Sequence, residues 1–456
     1  MTEFEKCKTA AYRIAELVRE HGGHTYYVGG YVRDALLGID NKDIDIEVHG
    51  VSPKCLENIL DSVGERITIG ESFGIYNLKG LNVDIAMPRK EKATGTGHRD
   101  FDVIVDPFIG TEKASARRDF TVNSIMQDVL TGEITDHHGG VRDLNAKILR
   151  HVNDETFGED PLRVLRGAQF AARFEFEVAP ETVLLCSKMD ISMLSKERIE
   201  GELKKALLKA EKPSVFFDVL RKMNRLSEWF GEVQALIGVE QNPKYHSEGD
   251  VWTHTMMVLD EAAKFRDKVS NPFGFMLSAL THDFGKAVCT ELINGELHAY
   301  AHETKGLPIA ESFLRRITNE TQLIKYVLNM TELHMKPNVT AAANSSIKAT
   351  NRMFDSSIDP EALIYIALAD AISSAAKGDY VPHDDFLYER LEIYKEYMSR
   401  PYVMGKDLIE AGIEPGRDFT EILEYAHKLR LAGEEKSRAL KQVIAYAKKL
   451  RNDNGK

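Results

Sequence analysis

The sequence feature that most constrains this chain is a glycine pair followed by two aspartates. A strand-like run leads into Gly29 and Gly30, a helix-like segment follows at residues 31–37, and Asp43 and Asp45 come next. Side chains at positions i and i+2 of a strand point to the same face, so both carboxylates can aim at one point. The run therefore predicts a strand, a turn, a short helix and a second strand carrying two converging acids.

The chemistry of this run suggests a phosphate and metal site. Two converging carboxylates suit Mg²⁺, a hard ion with oxygen ligands, and a glycine without a Cβ lets the backbone approach a triphosphate closely. The alternative is a glycine turn followed by two solvated acids, which explains an isolated Asp-x-Asp better. The whole run, Gly-Gly-x-Val-Arg-Asp-x-Leu-Leu-Gly with Arg33 inside it and the aspartates at this spacing, favours metal-dependent nucleotidyl transfer.

A third carboxylate, Asp84, lies in a strand-like segment at residues 82–87. Beside Asp43 and Asp45 it would complete a two-metal site, in which the ions stabilise both the attacking and the leaving oxygens. The alternative is an edge-strand aspartate that faces water, and both interpretations stay open.

A second dense motif begins at two adjacent arginines, Arg117 and Arg118. They can bind triphosphate oxygens through bidentate, charge-assisted hydrogen bonds. Asp119 and Asn123 follow with the spacing of one helix face. The alternative is a helix N-terminus with solvated charges. Upstream, residues 89–99 are polar and contain glycine, which predicts a mobile loop acting as a lever or lid, or simply a long surface turn.

Composition limits the class of protein. The 456 residues are enough for about three domains, and 43% hydrophobic with 29% charged residues indicates a soluble globular chain. The net charge of −12 argues against a generally basic nucleic-acid binder. The four scattered cysteines share no metal-ligand spacing, which predicts reduced thiols and a cytoplasmic protein. No apolar run approaches the length of a membrane span.

The pattern along the chain predicts a mixed α/β head followed by helices. Strand-like segments lie at residues 25–28, 43–48, 74–79 and 82–87. Beyond residue 145 the periodicity is almost entirely helical, with interruptions near Pro243 and Pro401. We therefore expect four parts, which are a catalytic head at 1–145, a helical neck at 146–235, a helical block at 236–398 and a charged helical tail at 399–456.

Several motifs in order resemble a known family, the bacterial-type (class II) tRNA nucleotidyltransferase and poly(A) polymerase superfamily. They are GGYVRDALLG with DIDI, RRDFTVNSI, DHHGGVRDL, EDPLR, FAARF and ERI, and they cover about residues 24–210. The resemblance implies a polymerase-β-like head and an all-α neck. It also implies that Asp43 and Asp45 bind Mg²⁺ and that the Arg-Arg-Asp motif contacts the nucleotide, together with Gly29 and Gly30.

The neck motif offers a physical account of base choice. Asp160 can simply cap the helix that starts at Pro161, and Arg163 lies on the same face. In the family this Asp and Arg act as a template for the base. Cytosine and adenine each offer an amino donor to Asp and an acceptor to Arg, whereas uracil and guanine present an N–H to Arg. The motif thus implies use of CTP and ATP, with Arg166 as a further nucleotide contact.

Two features bear on the branch of the superfamily. Enzymes that add only CC are described as lacking part of the loop before the Arg-Arg-Asp motif, whereas 27 residues separate Arg89 from Arg117 here. That favours complete CCA addition. Poly(A) polymerases of this type usually carry a strongly basic tail, whereas this tail contains Glu434 and Glu435. A poly(A) polymerase or a partially adding enzyme remains the alternative.

The helical block contains a histidine–aspartate pattern. The sequence His-Asp-Phe-Gly-Lys follows an apolar helix and resembles the HD phosphohydrolase superfamily, with Lys286 placed for a phosphate. Distant histidines and aspartates can meet around one divalent transition metal. Capping or surface histidines, such as His246 and His298, are the alternative. The candidate ligands are His254, His282, Asp283, His302, His334 and Asp370.

The expected partner is tRNA, bound by shape and phosphates, with no DNA or membrane partner. Candidate basic surfaces lie at residues 196–212 and 438–451, which also read as ordinary solvated helix faces. A metal-dependent phosphohydrolase whose head only binds RNA is the rival enzyme. An RNA-binding protein with a decayed head is the non-enzymatic rival, and the intact acidic and arginine motifs count against it.

Overall fold

The computed structural model describes residues 2–70, 74–93, 101–374 and 383–454. The chain divides into two compact units. One comprises Met1–Leu194 with Asp218–Arg225, and the other comprises Ser195–Phe217 with Leu226–Lys456. The finer division at residues 145, 235 and 398 stays a prediction. The mixed α/β head and the mainly helical remainder are confirmed.

The first unit is built on a seven-stranded sheet with the strand order β3-β4-β5-β2-β1-β8-β9. Strands β2 and β5 are parallel, and the other neighbours in this sheet are antiparallel. The strands of the unit are β1 His24–Val28, β2 Ile44–His49, β3 Arg66–Gly70, β4 Ile75–Leu78, β5 Val83–Ala86, β6 Arg89–Ala93, β7 Phe101–Val105, β8 Met126–Asp128, β9 Ile134–Thr135, β10 Ile148–Leu149 and β11 Glu177–Val178.

Helices cover the sheet and continue the unit. The first begins with a capping box, in which the Thr2 side chain accepts from the Glu5 backbone and Glu5 accepts from the Thr2 backbone. The helices are α1 Glu3–Glu20, α2 Gly30–Leu36, α3 Pro53–Val63, α4 Thr111–Ser115, α5 Gly140–Asn145, α6 Asp154–Gly158, α7 Leu162–Phe174 and α8 Pro180–Cys186, with a 3₁₀ turn at Thr121–Asn123.

Successive side chains of strand β2 point alternately to the apolar core and to the candidate site. Ile44, Ile46 and Val48 are buried, and helix α1 packs against β1, β2 and α3. The intervening side chains, which include Asp45 and Glu47, point to the opposite face because strand side chains alternate. The apolar face anchors the strand in the core and leaves its acidic face for chemistry.

Two sequence expectations are wrong here. Residues 89–93 are not loop but form β6, which pairs with β7 in an antiparallel hairpin; the rest of the expected loop, residues 94–99, lies outside the described residues. Asp119 and Asn123 do not share an α-helix, because Phe120 forms a β-bridge with His151 and only a 3₁₀ turn follows. The β-bridge at Phe120 holds the backbone extended there, so the spacing of Asp119 and Asn123 does not produce an α-helix.

The second unit is mainly helical. A small hairpin that sequence analysis did not predict is formed by β12 Glu291–Ile293 and β13 Glu296–His298. The helices of the second unit are α9 Lys196–Lys209, α10 Ser214–Lys222 (divided between the units), α11 Ser227–Gln234, α12 Val251–Ala263, α13 Pro272–Thr281, α14 Lys286–Cys289, α15 His302–Lys305, α16 Leu307–Ile317, α17 Thr321–Leu333, α18 Lys336–Ala342, α19 Ile347–Asp355, α20 Pro360–Ser374, α21 Asp384–Ser399, α22 Gly405–Glu410, α23 Phe419–Leu431 and α24 Lys436–Asn454, with a second 3₁₀ turn at Arg266–Lys268.

Packing in this unit centres on two almost fully buried helices, α13 and α20. Helix α12 packs against both, and α17 packs against α13. The predicted helical tail at residues 399–456 contains α22, α23 and α24, and the chain turns between the last two at Gly433 with φ of +80°. Leu408, Ile422 and Val443 form part of its own small core. Across the described ranges, no helix is long and apolar enough to cross a membrane.

Candidate active site and candidate metal centre

Three aspartates meet on the exposed end of the central strands of the sheet. Asp45 on β2 lies directly opposite Asp84 on the parallel strand β5. Asp43 lies two residues before Asp45, and its Oδ1 accepts a 2.7 Å hydrogen bond from Asn82. The predicted third carboxylate therefore lies beside the predicted pair, on neighbouring strands.

The electrostatics of this group show a surplus of negative charge. Burial, the Asp84 carboxylate and, more weakly, the Asp43 carboxylate raise the pKa of Asp45 to about 6, although Arg118 opposes the shift. A carboxylate that is costly to ionise beside two others gains stability from a cation bound between them. Three oxygen-donor side chains fit a hard divalent ion.

Gly29 brings the backbone next to this acidic group. It has φ of +65°, where other residues are strained. A Cβ there would lie 3.1 Å from Arg118 Nη1 and 3.7 Å from Asp45 Oδ2. The glycine therefore leaves space for the arginine between the turn and the carboxylate. An arginine in this position can bind phosphate oxygens that approach the aspartates.

Sequence reasoning missed the residue that holds this arginine. Glu47 Oε2 accepts from Arg118 Nη2 at 3.2 Å, and Glu47 Oε1 bonds His49 at 2.8 Å. Burial favours a higher pKa for Glu47, but the bonds from His49 and Arg118 hold the pKa below its usual range. The available signal was alternation, because positions 43, 45, 47 and 49 share one face of the strand.

Asp119 lies inside the protein and organises other residues. Its Oδ1 accepts from the Phe120 backbone at 2.8 Å and from Asn123 Nδ2 at 2.9 Å, and its Oδ2 accepts from Arg166 Nε at 2.8 Å. Burial would raise the pKa of Asp119, but Arg166 and Asn123 lower it below its usual range. The alternative of solvated charges at a helix N-terminus is wrong for Asp119, which is buried.

The same network reaches the first motif. Asn123 Oδ1 accepts from Arg33 Nη1 at 2.6 Å, and Arg33 also pairs with Asp34 at 2.6 Å. The Arg33 guanidinium lies 4.4 Å from the centre of the Phe174 ring. Arg33 is therefore buried, and its guanidinium is bound by side chains of the same unit. It supports neighbouring residues of the site and is not exposed to a ligand. Its predicted nucleotide contact stays a prediction.

The predicted base-selecting pair lies at the start of α7. The Arg163 guanidinium donates to Thr156 O at 2.5 Å and to Arg117 O at 2.8 Å. Asp160 Oδ1 accepts from the Leu162 backbone at 3.1 Å, as a capping residue does. Arg117 Nη1 in turn donates to Arg89 O at 2.8 Å. Main-chain carbonyls thus fix the arginine of the pair in place.

In the second unit, the six predicted ligands meet. They come from helix α12, the C-terminal ends of α13 and α17, the start of α15, and α20. Their ligand atoms fall into two groups of three, and within each group all atoms lie within 4.8 Å of one another. One group is His254, His282 and Asp370, and the other is Asp283, His302 and His334.

The histidines present the same nitrogen to the centre. Nδ1 of His282, His302 and His334 bonds the carbonyl three residues earlier, at 2.8, 2.9 and 2.6 Å. A carbonyl only accepts, so Nδ1 carries the proton and Nε2 is left as the ligand atom. Burial and the neighbouring His282 lower the pKa of His334 to about 3, which keeps this ring neutral.

The glycine of the His-Asp-Phe-Gly-Lys motif, Gly285, allows two helices that carry candidate ligands to lie close together. A Cβ at Gly285 would lie 2.0 Å from His302 O and 2.9 Å from Gly306 N. Only glycine allows α15 to approach the end of α13 this closely, which brings His302 Nε2 to 3.2 Å from Asp283 Oδ1. The motif therefore needs its glycine for the metal centre rather than for a turn.

A cavity of about 700 Å³ opens onto this centre. Asp283, Lys286, His302 and Asp370 line it. Lys286 Nζ lies 2.8 Å from Asp283 Oδ2 and donates to Gln241 at 2.8 Å. A buried ammonium beside the candidate ligands is suited to a phosphate that enters the cavity.

Glu248 is the residue of this centre that sequence analysis missed. Its Oε1 lies 2.9 Å from His254 Nδ1 and 2.8 Å from His246 Nδ1, and its side chain is 6% exposed. Burial alone would lower the pKa of His254, but the bonds to Asp370 and Glu248 raise it to about 9. His246 and His298, expected as surface or capping residues, both line the cavity.

In the two basic segments named as candidate RNA contacts, residues 196–212 and 438–451, some basic side chains bind other groups of the protein. Lys196 Nζ donates to Arg315 O and Asn319 Oδ1, at 3.1 and 2.9 Å. Arg451 pairs with Asp418 at 2.7 Å. Their role in RNA binding stays a prediction.

Comparisons with known proteins place these features in context. A family model for the poly A polymerase head domain matches residues 25–150. A multifunctional CCA protein of Actinobacillus pleuropneumoniae is 36% identical over 316 residues, covering 68% of this chain and 74% of the relative. One from Ralstonia nicotianae is 39% identical over 307 residues, covering 65% of this chain and 68% of the relative.

Solved structures share the fold. The Bacillus stearothermophilus CCA-adding enzyme in complex with CTP superposes with a TM-score of 0.66 at 21% identity, covering 98% of each chain. The Thermotoga maritima CCA-adding enzyme complexed with tRNA gives a TM-score of 0.62 at 19% identity, covering 95% of this chain and 94% of that one. At this identity the likeness shows a common architecture.

Proposed function

The chain belongs to the family of the multifunctional CCA proteins, and from this premise we propose that it adds C, C and A to the 3′ end of tRNA, using CTP and ATP and releasing pyrophosphate. The observation that supports this most is the placement of Asp45 opposite Asp84 on parallel strands, with Arg118 and the Gly29 turn beside them. Acids for a metal and a cation for phosphates thus occupy one site.

Asp43, Asp45 and Asp84 would hold Mg²⁺, since all three are oxygen donors and the pKa of Asp45 is raised by burial and by the neighbouring carboxylates. A bound divalent ion activates the attacking hydroxyl and stabilises charge on the leaving oxygen. The protein itself orients the triphosphate through Arg118, which Glu47 holds, and through the backbone at Gly29 and Gly30. Charge stabilisation by preoriented groups is a large part of phosphoryl-transfer catalysis.

Base choice is assigned to Asp160 and Arg163. The structure supports a fixed Arg163, because two carbonyls hold its guanidinium and leave its remaining N–H donors for a base. Cytosine and adenine place an acceptor opposite such donors, whereas uracil and guanine place an N–H there. The pair therefore favours CTP and ATP over UTP and GTP.

The acceptor is tRNA, the molecule with which one structural neighbour is complexed. Binding by shape and phosphates would let one enzyme serve many tRNAs. The four cysteines are free thiols, which supports a cytoplasmic location.

The test is incorporation of each labelled nucleoside triphosphate into tRNA transcripts that end before, within or at the CCA sequence. We expect C on the two shorter ends, A on the end that already carries CC, and no U or G. Long A tails on any RNA would instead favour a poly(A) polymerase. No incorporation by folded protein with Mg²⁺ would contradict the proposal.

A second activity, hydrolysis of phosphate esters, is favoured by the His/Asp centre and by Lys286 in the adjoining cavity. Its residues fit a divalent transition metal, since imidazole Nε2 atoms and carboxylates converge there. The test uses 2′,3′-cyclic AMP and p-nitrophenyl phosphate with chelator-treated protein. Hydrolysis should return on addition of Ni²⁺ or Mn²⁺, and failure of both metals to restore it would contradict this activity.

A further inference from the structure

Asp43 is the candidate metal ligand that secondary structure positions least. Strand β2 begins at Ile44, the residue after Asp43, and residues 39–43 belong to no helix or strand. The Asp43 side chain is also exposed, whereas Asp45 on the strand is half-buried. The side chains of a binding site must be held to within about 0.5 Å of their working positions. Contacts outside the regular structure must therefore fix Asp43.

The side-chain amide of Asn41 makes one such contact, to the main chain of Asp43. Asn41 Oδ1 accepts from the Asp43 backbone N–H at 2.9 Å, as an asparagine does two residues before the donor in a turn. Asn41 Nδ2 donates to Asp34 Oδ2 at 2.8 Å. The N–H requires an acceptor and the carboxylate requires a donor, so a single amide satisfies both partners. Asn41 therefore ties the loop that carries Asp43 to Asp34 on helix α2.

Asp34 is a fixed anchor for this loop. It is 2% exposed, and its Oδ1 accepts from Arg33 Nε and Nη2 at 2.8 and 2.6 Å. Arg33 also donates to Asn123, which in turn donates to Asp119 at 2.9 Å. Buried polar networks whose members are hydrogen-bonded are rigid. Through Asn41 the loop is therefore attached to a buried network and not to a mobile surface group.

A second asparagine, Asn82, holds the carboxylate of Asp43. Asn82 Nδ2 donates to Asp43 Oδ1 at 2.7 Å, and Asn82 directly precedes strand β5, which carries Asp84. A hydrogen bond to one carboxylate oxygen fixes the rotation of the group, and the other oxygen can bind an ion. One asparagine thus contacts the main chain of Asp43 and the other contacts its side chain. Neither residue was a candidate from the sequence.

We propose that Asn41 and Asn82 are positioning residues for the metal ion of the three-aspartate site. Asn41 sets the main chain of Asp43, and Asn82 sets the orientation of its carboxylate. Neither is itself a ligand, and both act through Asp43. Outer partners of metal-binding carboxylates have large effects on metal affinity for this reason. The inference rests on the proposed nucleotidyltransferase function, because the ligand role of Asp43 belongs to it.

The test measures Mn²⁺ binding to the full chain without nucleotide or RNA, from the electron paramagnetic resonance signal of the free ion. The Asp45→Asn chain defines binding at all other sites, so the difference from the parent gives binding at the three-aspartate site. Asn41→Ala should weaken this binding about 10–100-fold. Asn145→Ala, at an exposed asparagine of the same unit, should bind as the parent does. Parental binding in folded Asn41→Ala would overturn the role of Asn41.

Two further variants separate the contacts. Asn41→Ser keeps a neutral acceptor for the Asp43 N–H but is too short to reach Asp34 as well, so Mn²⁺ binding should weaken as in Asn41→Ala. Parental binding in Asn41→Ser would show that the turn alone suffices and would overturn the anchoring to Asp34. Asn82→Ala leaves the loop contacts intact and should also weaken binding, which provides a test if Asn41→Ala does not fold. Unchanged binding in Asn82→Ala would overturn the role of Asn82.

The dependence of nucleotide addition on Mg²⁺ separates positioning from direct ligation. Asn41→Ala retains all three carboxylates, so saturating Mg²⁺ should restore the parental kcat, whereas Asp45→Asn should stay impaired. A folded Asn41→Ala chain that stays slow at saturating Mg²⁺ would contradict a positioning role. Weakened Mn²⁺ binding in variants of a chain that adds no nucleotide would preserve this inference and reject the proposed function. Nucleotide addition together with parental Mn²⁺ binding in both asparagine variants would do the opposite.

Discussion

At the scale of single residues, Asp45 shows how the site differs from an ordinary surface. Burial, followed by the Asp84 and Asp43 carboxylates, raises the pKa of Asp45 to about 6, so its charge at neutral pH is unfavourable for the fold. Because the folded-state pKa is raised, the contribution of Asp45 to stability is greatest below its usual pKa of 3.8 and is lost as pH rises through about 6. This unfavourable free energy of ionising Asp45 arises at the position where we expect a cation to bind.

Asp45→Asn should therefore separate function from stability. With Mg²⁺, nucleotide addition should fall about 1000-fold, because a metal ligand is lost. In chelator at pH 8, the variant should be more stable than the parent by about 1–3 kcal/mol, since a two-unit pKa shift is partly screened by solvent. Chemical denaturation at pH 8 and pH 4 tests this, and the gain should vanish at pH 4.

Asp40→Asn is the matched control, because Asp40 is exposed and lies just before the same strand. It should leave activity and stability unchanged. A loss of stability in Asp45→Asn at pH 8 would contradict the electrostatic account, since the residue would then be structural.

Glu248 acts at the same scale in the second unit. Glu248→Ala removes the carboxylate that lies 2.9 Å from His254 Nδ1, and metal affinity should fall about 10–100-fold. Glu248→Gln keeps an acceptor and should lose less. Titration against a chromophoric chelator measures both, with Glu240→Gln as a control that lines the cavity. Equal affinity in Glu248→Ala and the parent would exclude the orienting role.

The residues differ in how far sequence alone reveals them. Asp43 and Asp45 were predictable because strand alternation dictates their convergence. Glu47 and Glu248 were not, since Glu47 acts through a hydrogen bond from a distant arginine and Glu248 through an ion pair with a histidine on the following helix. Asp119 was predicted at the site, but its burial depends on tertiary contacts with Arg166 that no local pattern contains.

At the scale of elements, the two ends of α2 offer a matched pair of glycines, Gly29 before the helix and Gly38 after it. Gly29 and Gly38 both have positive φ, so alanine should cost about 1–2 kcal/mol of stability at each. Only at Gly29 would the Cβ meet Arg118, whereas at Gly38 nothing lies within 4 Å. Gly29→Ala should reduce kcat/KM for nucleotide about 100-fold, and Gly38→Ala should not.

Steady-state kinetics with CTP, together with thermal unfolding of both variants, checks this prediction. Equal kinetic losses in the two variants would indicate that general destabilisation, rather than the position of Arg118, controls activity.

Elements with strong local patterns were predictable, and those made by pairing were not. Helix α13 could be read from its continuous apolar run that ends in His-Asp, and β5 from its β-branched residues. Strand β6 has the polar composition of a loop and exists because it pairs with β7. The charged pattern of the tail predicted helix but not the boundary at Gly433, where a positive φ separates α23 from α24.

At the scale of the whole molecule, the two sites lie in separate compact units and use different ligand chemistry. Asp45→Asn should abolish nucleotide addition and spare hydrolysis of phosphate esters. Asp283→Asn should abolish hydrolysis and spare addition. Both activities are measured on the same preparations with their own metals. Loss of both activities in either folded variant would contradict two independent sites.

The measurement that tests the central claim most directly is sequencing of tRNA 3′ ends after reaction. A transcript that lacks CCA is incubated with the full chain, Mg²⁺ and all four nucleoside triphosphates together. The account predicts that the ends gain C, C and A in that order and then stop. Ends that carry runs of A, ends with U or G, or ends left unchanged by folded protein would contradict it.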